Sequence, residues 1–153
     1  MSRGDMSREE YAAELFANSY NCAQSVLGAF CEEWGLDRKT ALKLATGLGG
    51  GLRCGEICGA VSGAVAAIGL KCGFYIEKDI AQKNYCNKKT YEFVERFNKE
   101  YGAILCRDLL GIDIRRPEDH MTQEARDAHK AICPRLVTGA VKILEGMTFE
   151  ECP

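Results

Sequence analysis

The sequence predicts an all-α fold, a compact single-domain bundle of about seven or eight helices. Three observations predict it. Apolar residues recur at the 3.6-residue period of a helix face, as in Ala41, Leu44, Ala45 and Leu48. Helix-opening residues (Ser7, Asp37, Thr122) and helix-closing glycines (Gly35, Gly73, Gly111) punctuate those stretches. No run alternates apolar and polar residues far enough to make a strand, and Phe74-Tyr75-Ile76 is too short.

Ser7-Arg8-Glu9-Glu10 spells a capping box and opens a first helix that buries Tyr11, Ala12, Leu15 and Phe16. The polar run from Asn18 to Asn21 breaks it. A second helix starts near Cys22, shows Ala23, Val26, Leu27, Phe30 and Trp34 on one face, and stops at Gly35. Asp37 caps a third, which ends in Gly47-Leu48-Gly49-Gly50-Gly51. A fourth is expected from about Gly55 to Leu70, with Gly73 as its stop. Asp79 to Tyr101 reads as one long helix, or two broken near Asn87, burying Tyr91, Val94, Phe97 and Tyr101. A short helix covers Ile104 to Leu110. Thr122 caps a helix through Ile132, and Pro134 suits the first turn of a last helix burying Leu136, Val137, Ala140, Val141 and Leu144.

The 153 residues suit one domain, 1–153, with frayed ends at 1–6 and 149–153. A net charge of −2 gives no reason to expect nucleic acid or an anionic membrane as partner. The start of the chain has no apolar run of the kind a secretory signal needs, and the apolar stretch Ile57–Leu70 is too short to span a bilayer. A cytoplasmic location is therefore expected. There thiols stay reduced, so nine cysteines, an odd number, do not suggest a disulfide scaffold.

Cys22, Cys58, Cys106 and Cys133 share one property: each falls at or near the first turn of an expected helix. Helix N-termini present unpaired amides and positive potential, which stabilise a thiolate. Small core residues at helix junctions would read the same way. Gly55, Gly59 and Gly63 form a bare stripe that invites a close neighbour, either a packed helix or, at Gly59 and Gly63, a cofactor.

Four segments in order resemble a known family. Asn21-Cys22-Ala23-Gln24-Ser25-Val26-Leu27 is the first. Gly49-Gly50-Gly51-Leu52-Arg53 with Cys58-Gly59-Ala60-Val61-Ser62-Gly63 is the second. Ile104-Leu105-Cys106-Arg107-Asp108-Leu109-Leu110-Gly111 is the third, and Cys133-Pro134-Arg135-Leu136-Val137 the fourth. Together they are similar to the redox-active proteins labelled by the cysteine pattern C_GCAxxG_C_C, over most of the chain. The resemblance implies a redox role for Cys22, Cys58, Cys106 and Cys133. Two chemistries use four such cysteines: reversible thiol–disulfide exchange, or electron transfer through an iron–sulfur cluster that the four thiolates would ligate. For a dithiol, the helix position of Cys58 makes it the expected attacking thiolate, with the resolving partner open. The alternatives are a structural zinc site on the same four residues, or an interaction module whose cysteines are core. Electron transfer calls for a redox partner protein; a homo-oligomer stays open. The chain has no Cys-x-x-Cys-His, so c-type haem attachment is not expected.

Cys31, Cys54, Cys72, Cys86 and Cys152 stand outside the pattern and are expected to be structural. Cys54 and Cys58, four apart, could share a helix face. The glycine run lacks Gly-Lys-Ser/Thr and follows a helix, so it is neither a P-loop nor a dinucleotide fingerprint; its amides could form an anion nest near Arg53. His120 lies in a charged loop. His129 shares a face with Ala125 and Ile132, four residues before Cys133, where it can be a partly buried structural histidine, polarise that thiol or act as a ligand.

Overall fold

Ser7, Asn21, Asp37, Asp79 and Thr122 each accept, on a side-chain oxygen, the backbone N–H three residues further on, and each opens a helix. These caps satisfy amides that have no partner inside the helix. The computed structural model describes residues 3–150. It contains seven α-helices: α1 (Arg8–Ala17), α2 (Cys22–Phe30), α3 (Arg38–Leu44), α4 (Gly59–Cys72), α5 (Ile80–Tyr101), α6 (Cys106–Leu110) and α7 (Gln123–Glu145). Among the described residues there is no strand, only one isolated antiparallel bridge between Ile57 and Leu105. No described helix is long and apolar enough to cross a membrane.

α2 is the hub, buried along nearly its whole length and packed against α1, α3, α4 and α7. α4 lies between α2 and α5. The core joins Val26, Phe30, Val61, Ile68, Phe93, Phe97, Val137 and Val141, each at most 2% exposed. Burying side chains of this size contributes about 1.5–3 kcal/mol each. Gly63 sets the α2–α4 separation. A Cβ built there would lie 2.6 Å from the carbonyl oxygen of Ala23 and 2.8 Å from its Cα. At Gly59 the nearest atoms are the Ala23 nitrogen and Cys22 Cβ, both at 3.1 Å. The bare stripe thus receives the backbone of α2.

Several expectations need correction. α4 begins at Gly59, so Cys58 is its N-cap and not a residue inside it, and α2 ends at Phe30, ahead of a turn that runs to Gly35. α5 is unbroken and buries Phe93 and Phe97, while Tyr91 is 69% exposed: the apolar stripe lies two residues from where Tyr91 suggested. In α3 the buried residues are Ala41 and Leu42, and Leu44 faces out. The largest change is at Pro134. The two expected C-terminal helices are one, α7, which runs through the proline. Proline lacks one N–H and leaves one carbonyl a turn earlier unpaired, a local defect that the buried face on both sides of it outweighs. Ala125, Cys133, Leu136, Val137, Ala140, Val141 and Leu144 are all buried along that face. Cys133 therefore lies in mid-helix. Of the ends expected to fray, Arg3 ion-pairs with Glu33, and Phe149 packs edge-on to Trp34 with ring centroids 5.8 Å apart.

Candidate functional site: four thiols around one cavity

Three different devices bring Cys22, Cys58, Cys106 and Cys133 to the wall of one cavity of about 530 Å³. Cys22 is the first residue of α2, behind a reciprocal capping box. Gln24 N–H donates to Asn21 Oδ1 (2.9 Å), and Asn21 N–H donates to Gln24 Oε1 (2.9 Å). The amide nitrogens of the same two side chains donate to the carbonyls of Thr46 (2.8 Å) and Leu42 (2.9 Å), which ties the start of α2 to the end of α3.

Cys58 and Cys106 are set by two short extended segments that run antiparallel through the Ile57–Leu105 bridge. Cys58 N–H donates to the Ile104 carbonyl (2.8 Å) and Cys106 N–H to the Glu56 carbonyl (2.6 Å). Arg107 locks the pair from outside, donating to Glu56 Oε1 (2.7 Å) and to the Gly55 carbonyl (3.1 Å). Cys133 comes from the middle of α7. All four are buried, at 3–8% exposure, and all eight described cysteines are free thiols.

The loop before Cys58 is the most contorted part of the chain. Gly50, Gly51, Leu52 and Arg53 have φ of 64°, 62°, 59° and 60°, a full left-handed turn. Gly51 is needed there twice over: its φ is positive, and a Cβ would press on the Glu56 backbone and lie 2.9 Å from Cys106 Cβ. Leu52 and Arg53 have no such freedom, and each costs about 1–2 kcal/mol in this conformation. The strain is held by Glu56 N–H donating to the Gly51 carbonyl (2.9 Å) and by His120, whose Nε2 lies 3.0 Å from the Arg53 carbonyl. It places Arg53 on the cavity wall. The sequence pointed to these glycines; two residues without that licence extending the turn were not legible in it.

The thiols are not equivalent. Cys22 and Cys133 face the same cavity and shift each other's acidity, and His129, one turn before Cys133 on α7, acts on Cys133 as well. The Cys22 contact first, and His129 second, hold Cys133 below the ordinary thiol range, against the opposing effect of burial. Cys22, the other member of that pair, is raised in return. His129 is raised in turn by the Cys133 sulfur. Burial pushes Cys58 up to about 11 and Cys106 up to about 12. The N-cap position of Cys58 does offer the amides of Ala60 and Val61, which favour its thiolate, but burial outweighs them. Among the four thiols, Cys133 and not Cys58 is thereby the one held in the thiolate form.

A pH test follows from these directions. Above the ordinary thiol range, wild type and His129→Gln both carry Cys133 as thiolate and should alkylate it at similar rates. Below that range, wild type keeps more of its thiolate than the variant, because the second of its two stabilising partners is gone while Cys22 remains. Iodoacetamide labelling of Cys133, mapped by mass spectrometry at pH 6, should be at least several-fold slower in the variant, and the ratio should approach one at pH 9.5.

Gly59 lines the cavity, whereas Gly63 does not: its bare side is filled by Ala23, so a cofactor contact there is corrected to helix packing. Cys54 is not on a helix face with Cys58. It sits at the end of the left-handed turn, its thiol donating to the Gly51 carbonyl (3.4 Å). Cys31 and Cys72 are core residues, Cys86 packs against the core, and Cys152 lies outside the described residues. Among the described residues, no three His, Cys, Asp or Glu side chains are placed to hold one metal ion.

Residues 20–147 match the family model described as "Putative redox-active protein (C_GCAxxG_C_C)", which covers all four cavity cysteines. No curated protein and no solved structure matches the chain.

Proposed function

The chain belongs to the C_GCAxxG_C_C family of redox-active proteins, and from that premise we propose that it works by thiol–disulfide exchange at Cys133 and Cys22. The observation that supports the reading is that these two buried thiols line one cavity together with His129, which stands one turn before Cys133 on α7, and that the pair splits in acidity, Cys133 lowered and Cys22 raised by the other. The Cys133 thiolate attacks one sulfur of an incoming disulfide. A mixed disulfide forms, and the other substrate sulfur leaves as a thiolate and takes up a proton. Cys22, having passed its proton to solvent, then attacks the Cys133 sulfur, closes a Cys22–Cys133 disulfide and expels the second substrate thiol. Two protein thiols are oxidised to one disulfide, and one substrate disulfide is reduced to two thiols. Excess thiol reverses the sequence. In this scheme His129 stabilises the Cys133 thiolate, while Cys58 and Cys106, high in pKa, stay protonated and line the site. A reducing cytoplasm would return the pair to its dithiol form.

The test is anaerobic purification, metal and sulfide analysis, then titration of the reduced protein with bis(2-hydroxyethyl) disulfide and mapping of the bonds formed. Consumption of one disulfide per chain, with a Cys22–Cys133 linkage, is the expected result. A brown protein whose iron and sulfide are lost in Cys58→Ser would replace this reading with a cluster. Zinc retained by all four cysteines would replace it with a structural site.

A further inference from the structure

Around the thiol pair, the cavity wall carries an excess of positive charge. Arg53, Arg126 and Lys130 line it against a single carboxylate, Asp127, with His120 and His129 among them. Nearly every other arginine near the site is already committed: Arg107 to Glu56, Arg115 to Asp113, Arg116 to Glu118 and Asp119. No ion pair among the described residues engages Arg53, Arg126 or Lys130. Their spacing is directional. Arg126, Lys130 and Cys133, with His129, follow the i, i+3, i+4, i+7 rule and share one face of α7. At about 1.5 Å per residue, positive charge stands about 5 Å and about 10 Å along the helix from the Cys133 position. Arg53 joins this ladder on the cavity wall from a different element, a turn that spends backbone energy to put it there.

Phe16, Leu109, Leu110, Ile114 and Leu136 add an apolar stretch of wall, and Ser19, Tyr20, Asn21 and Gln123 an uncharged polar one. A volume of about 530 Å³ suits a small molecule. The reacting thiols, at 4–6% exposure, lie below the surface on which a folded protein's disulfide would dock. Resting on the thiol-exchange reading above, we infer that the cavity takes a small anionic disulfide, one with carboxylates a few bonds from the sulfurs, held by Arg53, Arg126 and Lys130 while Cys133 attacks. The electron balance is that given above: the small disulfide leaves as two carboxylate-bearing thiols, and Cys22 and Cys133 leave as a disulfide. Unpaired cations converging on one partly enclosed space raise the local concentration of an anion and fix its orientation.

The test compares 3,3′-dithiodipropionate, a dianion, with bis(2-hydroxyethyl) disulfide, which is uncharged, and cystamine, a dication. Rates of oxidation of the reduced wild-type protein should fall in that order, with the dianion at least 10-fold ahead of the neutral probe. Raising the salt from low concentration to about 1 M, where charges are screened beyond about 3 Å, should bring that ratio toward one. Arg126→Gln, at an exposed helix position, should lower the ratio several-fold at low salt, and Arg53→Gln should do so independently. Equal rates, or a faster neutral probe, would overturn the anion inference while leaving thiol exchange standing. Failure of all three probes to oxidise Cys22 and Cys133 would overturn both.

Discussion

Replacing Cys133 with serine should abolish disulfide reduction, and replacing Cys22 should stop it half-way. The two outcomes differ because the two sulfurs do different jobs. In the proposed reaction Cys133 makes the first bond: its thiol is held below the ordinary range by Cys22 and His129, which favours the nucleophilic thiolate at neutral pH. An unperturbed thiol is only a few per cent thiolate at pH 7, and a serine hydroxyl does not ionise there at all. Cys133→Ser should therefore reduce the rate to the buffer background, a loss of two orders of magnitude or more. Cys22→Ser retains Cys133, His129 and a hydroxyl donor at position 22, but removes the resolving sulfur. The first attack should stay within a few-fold of the wild-type rate, and the product should accumulate as a mixed disulfide, visible by intact mass as the chain plus one substrate half. Cys58→Ser and Cys106→Ser should slow the reaction least, since burial keeps both thiols protonated, at about 11 and about 12. A trapped adduct on Cys58 in the Cys22 variant would show that Cys58 is the attacking sulfur after all.

This ordering of the thiols is where sequence reasoning ran out. Helix position favours the Cys58 thiolate, and that argument is local: two amides point at the sulfur, as expected of an N-cap. Burial is not local. It depends on how α2, α4, α6 and α7 close around the site, and it reverses the sign. Cys133 was misplaced for the complementary reason. Pro134 is a common first-turn residue, so a helix start was read there, but the buried face from Ala125 to Leu144 carries α7 straight through it. The caps at Ser7, Asp37 and Thr122 were legible because capping needs only four residues of context. The gathering of the four pattern cysteines was legible only through the resemblance; the antiparallel bridge that seats Cys58 and Cys106 has two residues and no pattern to read. The i, i+4 spacing of His129 and Cys133 was visible, and Arg126 and Lys130 extend the same face. The charge on that face has meaning only once Arg53 is brought to the same cavity.

A matched pair of glycines in α4 should respond in opposite directions to the same substitution. Gly69 is exposed, with nothing within 4 Å of the position a Cβ would take. Gly69→Ala should stabilise the protein by about 0.5–1 kcal/mol, the ordinary helix-propensity gain. Gly63→Ala collects the same gain and meets Ala23, whose carbonyl oxygen and Cα would lie 2.6 Å and 2.8 Å from the new methyl. Those are backbone atoms of α2 and cannot turn aside as a side chain can; α2 and α4 have to separate. Overpacking of a tight core costs about 1–3 kcal/mol, and relief here must move a helix packed on four others, so the net effect should be destabilising by about 1–2 kcal/mol. Gly63→Val adds two more methyls and loses helix propensity, and should be worse than Gly63→Ala. Urea unfolding of the reduced protein measures all three. The site supplies a second readout. Cys22 lies next to Ala23 at the start of α2, so parting α2 from α4 should weaken the Cys22–Cys133 contact and raise the pH at which Cys133 alkylates, whereas Gly69→Ala should leave that pH where it is. A Gly63→Ala protein as stable as wild type would mean that α2 can shift freely, and that the close approach of the two helices does not position Cys22.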